Sequence, residues 1–172
     1  MERVTRFGQV SIHGFRRLSD VTLSLRPLSV MIGANGTGKT SVLDVLSLLA
    51  SSAQGRLTSS LSELAGLANV LTYDRAEELG LGITMEAPGD EPVDYRLWLR
   101  KEGFAHTIYE ETLNQRVAPY PEPLFLINSH GRKVEYYDPE KSKIVVPSWE
   151  HNPLETSLSQ VPKTFRDLEE FS

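Results

Sequence analysis

The alternation of apolar and polar positions divides the chain into three textures: short strands, then helices, then a long run of strands. Val4 to Ile12 alternates loosely through Phe7, Val10 and Ile12 and predicts a first strand. His13 to Asp20 reads as a turn that carries the adjacent pair Arg16 and Arg17. Val21 to Leu25 alternates strictly and predicts a second strand, hairpin-paired with the first and ended by Arg26-Pro27. Leu28 to Ile32 is a short apolar run and predicts a third strand. Val42, Val45, Leu46 and Leu49 then fall on one face of a helix that starts near Gly38 and fades at Ala53-Gln54-Gly55. Ser60-Leu61-Ser62-Glu63 is a capping-box pattern and predicts a second helix from Ser60. Leu61, Leu64, Leu67 or Ala68, and Leu71 continue its apolar face, and Glu77 to Gly82 reads as a turn or frayed end.

Beyond residue 80 the period changes to that of strands. Ile83–Glu86, Val93–Leu99, His106–Glu111, Leu124–Ile127, Lys133–Tyr137 and Lys143–Val146 each predict one, with turn residues such as Pro88-Gly89-Asp90 and Asp138-Pro139-Glu140 between them. Residues 81–147 therefore predict an antiparallel meander, followed by a loop over Trp149 to Thr156 and a helix opening over Leu158 to Phe171. With no internal repeat, low-complexity tract or flexible linker, the chain reads as one unit in four stretches. These are 1–56 (strands and first helix), 57–80 (helical), 81–147 (meander) and 148–172 (loop and a further helix).

The junction between the third strand and the first helix carries chemistry. Gly33-Ala34-Asn35-Gly36-Thr37-Gly38-Lys39-Thr40 fits G-x-x-x-x-G-K-[ST], the phosphate-binding loop, in its strand–loop–helix context. Its glycines let the backbone turn tightly and aim N–H groups at an anion, and the helix that follows presents its positive end to the same place. Lys39 is placed to reach terminal phosphates, and the Thr40 hydroxyl to hold Mg²⁺. Gly33, Asn35, Gly36, Thr37, Gly38, Lys39, Thr40 and Ser41 are the candidate nucleotide-binding residues.

Composition narrows the rest. The 172 residues are 40% hydrophobic and 24% charged, which describes an ordinary globular domain with enough length for a core. A net charge of −5 argues against a surface that coats nucleic acid wholesale. Without Cys there is no disulfide, thiolate nucleophile or Cys-based metal site. The first six residues lack the apolar stretch of a signal peptide, and no apolar run reaches transmembrane length, so a cytoplasmic protein without a membrane partner is expected.

The strand, Gly14-Phe15-Arg16-Arg17, strand and Val30 to Leu43 together resemble the start of an ATPase head of the SMC/RecF-like branch of the ABC ATPases, which includes the OLD proteins. The Asn35-Gly36 pair and the Phe15-Arg16 motif are its more discriminating parts, and the meander resembles the antiparallel β-subdomain of those heads. The resemblance implies an α/β P-loop NTPase fold: a mixed sheet, the P-loop helix and an antiparallel β-subdomain. It implies ATP and Mg²⁺ as ligands, with Arg16 and Arg17 near the phosphates and Gln160, in Leu158-Ser159-Gln160, as the magnesium-loop glutamine. The segment from Thr156 to Pro162 is similar to single-chain ATPases of the group rather than to heads that run into a coiled coil.

The same family needs a signature motif, a Walker B aspartate, a catalytic glutamate and a switch histidine, all after the glutamine loop. None is read here. Leu124 to Ile127 is followed by Asn128, not an acid, so no catalytic set is complete in this chain. The expectation is an N-terminal half-head that binds ATP and hydrolyses it weakly or not at all. Intact heads of this family sandwich ATP between two copies and work in DNA repair, recombination, chromosome maintenance or phage defence. A partner chain supplying the second half is one expectation, and no feature of this lobe marks DNA contact. Two alternatives differ in class: a small P-loop kinase or phosphotransferase, which needs a lid where this chain has strands, and a non-catalytic remnant. Elsewhere His13, His106 and His151 show no ligand spacing, and His130, beside Gly131 in a turn, reads as structural because a switch histidine should follow a catalytic acidic strand. Tyr95, Trp98 and Tyr109 read as packing residues, and Glu110-Glu111 as a solvated strand end.

Overall fold

In the computed structural model, which describes residues 6–72, 76–86, 89–103, 105–117 and 121–161, the strand alternation resolves into one sheet. β1 (Arg6–Phe15) and β2 (Leu18–Ser24) form a hairpin closed by the pair Phe15 and Leu18. The chain then runs without regular structure to α1 (Lys39–Ala53), α2 (Leu57–Glu63) and α3 (Leu67–Val70). β3 (Glu78–Glu86), β4 (Val93–Glu102), β5 (Ala105–Gln115), β6 (Leu124–His130), β7 (Lys133–Asp138) and β8 (Lys143–Val145) follow. The strand order is β2-β1-β3-β4-β5-β6-β7-β8, and every pairing is antiparallel.

The α/β class, the P-loop helix and the antiparallel subdomain are therefore as expected, but of the mixed sheet only antiparallel pairings occur among the described residues. The reason lies in Leu28 to Ile32, which forms no strand. A strand needs a neighbour for its N–H and C=O groups, and this run has none among the described residues. Leu28, Val30 and Ile32 stand 81%, 74% and 93% exposed.

One continuous core joins Val42, Val45, Leu48 and Leu49 of α1 to the inward residues of the sheet, among them Ile12, Leu81, Leu97, Leu99 and Leu113. Leu46, read from the period as a core residue, is half-buried at its margin. Gly55 ends the helix with φ +69, as its position after the last apolar residue suggested.

The second helix departs from its sequence reading. It starts at Leu57, not Ser60, and Ser60 lies in its interior, so the capping box does not form. The free N–H groups of Leu57 and Thr58 donate instead to the two carboxylate oxygens of Glu155, at 2.7 and 3.0 Å. Ala65 and Gly66, both at positive φ, then break the helix, so the expected continuous face is shared between α2 and α3. β3 starts at Glu78, inside the stretch Glu77 to Gly82 expected to be a turn or frayed end. Its glycines serve packing: a Cβ on Gly80 would lie 2.7 Å from the Trp98 ring. Beyond the loop at 149–157, Leu158–Gln160 is a single 3₁₀ turn; the remainder of the expected helix, from residue 162, lies outside the described residues.

Candidate nucleotide site

The hairpin turn between β1 and β2 and the glycine-rich loop before α1 face each other. Between them lies an open cavity of about 300 Å³ lined by Arg16, Arg17, Asn35, Gly36, Gly38, Lys39, Thr40 and Ser41. Eight of the ten residues assigned to the nucleotide by sequence thus share one concavity. Gly33 and Thr37 stand behind it as supports: Thr37 Oγ1 donates to the Ala34 carbonyl at 2.9 Å, and the Gly33 carbonyl accepts from Lys39.

The loop's shape depends on left-handed backbone at Gly36 (φ +79) and Gly38 (φ +100). Gly38 has a second constraint, because a Cβ there would lie 2.7 Å from Leu18 Cδ2 of the hairpin. Gly38→Ala is therefore expected to combine backbone strain with a clash and to cost about 1–3 kcal/mol. Gly103→Ala, at φ +61 with nothing within 4 Å of the added carbon, carries the backbone strain alone. Thermal unfolding of both should show the larger loss for Gly38→Ala. Equal losses would mean that the Leu18 contact is not a constraint.

The charge of the cavity suits an anion. Arg16, Arg17 and Lys39 line it and no acidic residue does. The first turn of α1 contains no acid to offset its positive end. Lys39 Nζ folds over the loop and donates to the carbonyls of Gly33 and Ala34 at 2.7 and 2.6 Å. An ammonium has three protons; the third has only a long contact, 3.5 Å, to Thr37 Oγ1. Arg17 Nη1 donates to the Gly36 carbonyl at 3.3 Å. Arg16 Nη1 pairs with Asp44 Oδ2 on α1 at 2.5 Å.

Gln160, assigned to the metal by sequence, is not brought to this cavity. Its Oε1 accepts from Asn152 N at 2.7 Å, and its Nε2 donates to the carbonyls of Asn152, Glu155 and Thr156. That loop is fastened to the far end of α1, where Thr156 Oγ1 donates to the Ser52 carbonyl at 2.7 Å. A 15-residue helix is about 22 Å long, which separates Gln160 from Thr40. Its amide is consumed in shaping a loop. Thr40 alone, of the two metal assignments, faces the cavity. The described residues hold no cluster of three or more His, Asp or Glu fit for a metal.

Glu111 was misread as solvated. It is fully buried, and its carboxylate accepts from Tyr95 Oη at 3.0 Å, Ser157 N at 2.5 Å and Leu158 N at 3.0 Å. Burial pushes its pKa up, against the pull of these donors. Tyr95 is likewise a core residue, and burial beside Glu111 holds its hydroxyl well above the usual range. Trp98 packs between His13 and Tyr109, at centroid distances of 5.4 and 6.3 Å. Asp44 was not singled out at all, although it is the only acid on α1, and that isolation was the available signal.

The family described as AAA ATPase domain matches residues 7–145. DNA replication and repair protein RecF is 52% identical over 43 residues in Pseudomonas savastanoi pv. phaseolicola and in Pseudomonas syringae pathovars syringae and tomato. That match spans 24% of this chain and 12% of each relative's length. A solved SMC ATPase, from work on ATP-driven dimerization and DNA-stimulated activation, superposes with a TM-score of 0.47 at 18% identity, over 64% of this chain and 70% of the other.

Proposed function

The chain belongs to the AAA ATPase domain family, and from that premise we propose that it is the ATP-binding lobe of an SMC/RecF-like ATPase head. The observation that carries this reading is the cavity between hairpin and loop, where three cationic side chains and the start of α1 converge with no acid among them. The polyphosphate lies along the glycine-rich backbone, Lys39 neutralises its terminal charge, and Arg16 and Arg17 close the side opposite the loop. Mg²⁺ fits as a companion of the phosphates: Thr40 lines the cavity, its hydroxyl would hold the ion, and the ion would neutralise phosphate charge.

Hydrolysis is assigned to a second half that brings the signature motif and the acids that position water. The run Leu28 to Ile32, apolar and without a strand neighbour among the described residues, supports a sheet that is completed by further strands. So does Leu43, 55% exposed on the outward side of α1. Association of two heads around ATP and work on DNA follow from the same family reading and rest on the intact assembly.

Titration with a fluorescent ATP analogue and Mg²⁺ tests the proposal. Saturable binding is expected, with little turnover by this chain alone. A signal that does not saturate at millimolar nucleotide would overturn it.

A further inference from the structure

Arg16 is held in an unusual way for a residue in a turn. Its backbone is left-handed, φ +50, a conformation that costs a non-glycine residue energy and is retained where the surroundings fix it. Its N–H donates to the Val70 carbonyl at 2.6 Å, so the turn is tied to α3 as well as to the hairpin. Its guanidinium lies over the Phe15 ring, 5.1 Å from the centroid, and its Nη1 meets Asp44 at 2.5 Å. Both partners of that pair are about one third exposed. The same side chain lines the nucleotide cavity. A turn that needed only to reverse the chain would carry Gly or Asn at this place. An arginine fixed at three points, with one edge toward an anion cavity, is built for a contact.

We infer that Asp44 is a positioning residue for the nucleotide site: through its carboxylate it fixes the Arg16 guanidinium so that the remaining N–H groups meet a phosphate. The inference rests on the ATP-binding reading above. Asp44 lies on α1, whose first residue is Lys39, so the helix that carries the phosphate-binding lysine also sets the arginine facing it. A guanidinium has five donors. One nitrogen spent on Asp44 leaves the others for the ligand, and the orientation is settled before the ligand arrives. Near an anion site an acid has an opposite, trivial effect, repulsion, and the two effects have opposite signs in a binding assay.

A double-mutant cycle separates them. Asp44→Asn, Arg16→Ala and the double variant are titrated with MgATP and, separately, with inorganic pyrophosphate, after thermal unfolding shows each to be folded. Arg16→Ala is expected to weaken binding by about tenfold or more, the range of a charge-assisted hydrogen bond. Asp44→Asn should weaken it roughly threefold to tenfold when Arg16 is present and not at all when it is absent. Asp44→Glu, which keeps the charge, should restore part of the loss. Tighter binding by Asp44→Asn in both backgrounds would reduce Asp44 to a repelling charge and overturn the inference, as would an equal loss in both or no change in either. Coupling seen with pyrophosphate but no binding of MgATP would leave the positioning role standing and sink the ATP reading. Failure of both ligands would sink both.

Discussion

Lys39→Ala is expected to remove saturable MgATP binding and to leave the fold intact. The two halves of that outcome have separate causes. The lysine's Nζ is bonded to the Gly33 and Ala34 carbonyls, both on exposed loop residues. Water replaces the ammonium there, and Ala is a good residue for the first turn of α1, so the stability change should stay within about 0.5 kcal/mol. For the ligand the loss is large. The cavity's charge comes from three side chains, and Lys39 is the one on the loop itself, anchored by two carbonyls with a proton to spare. Removal of a charge-assisted contact to a terminal phosphate is expected to cost about 100-fold in affinity, near the upper end for such bonds. Lys39→Arg should rescue poorly, because a planar fork does not reproduce the point charge that two converging carbonyls orient. Parallel titration and thermal unfolding check both halves. Unchanged affinity in Lys39→Ala would mean that the cavity is not the nucleotide site, and a collapsed fold would mean that the lysine is structural.

The loop was legible because its residues are contiguous: eight positions in a row fix a local geometry that depends on little else. The first helix was legible for the same reason, its apolar period and its terminating Gly55 lying within a few turns. What failed depended on distant partners. Leu28 to Ile32 has the composition of a strand, but a strand exists only against a neighbour. Ser60 and Glu63 have the spacing of a capping box, yet the helix is capped by Glu155, about a hundred residues away. Gln160 sits in a plausible motif, and its amide is spent on the loop around it. Glu111 shows the most instructive failure. Ile108 faces the core, and strict alternation would put residue 110 inward and 111 outward. The register of β4 against β5 slips between Trp98 and Leu99, so that Tyr109 is an extra residue and the phase inverts. A bulge is a property of two strands, and the sequence of one does not announce it.

That inversion makes Glu111 the residue on which the second large effect is expected: Glu111→Ala should cost about 3–5 kcal/mol, because it leaves a void and three donors without an acceptor. In a chain of this size that is roughly 10 °C in midpoint. The donors are Tyr95 Oη and the N–H groups of Ser157 and Leu158, at the start of the 3₁₀ turn that packs on the end of α1, so hydrogen exchange over 152–160 should speed up with the loss. Glu111→Gln keeps the volume but sets an NH₂ against a donor, since both carboxylate oxygens accept, and should cost about 1–3 kcal/mol. The pH dependence has a definite sign. Burial raises the pKa of Glu111 in the fold above its ordinary value of 4.5, so the folded state holds its proton more tightly than the unfolded state does. The stability from this group is fully present below 4.5 and is lost as pH rises from there through the folded value. Glu78 and Asp138 have lowered pKa values, the one from Tyr109 and Arg100, the other from Lys141, and their contributions are lost in the opposite direction, as pH falls. The quantity to measure is therefore the stability of the wild type minus that of Glu111→Gln, in which the other groups cancel. It should shrink as pH rises above 4.5. A difference that grows with pH would mean that the three donors outweigh burial and that the carboxylate is held ionised.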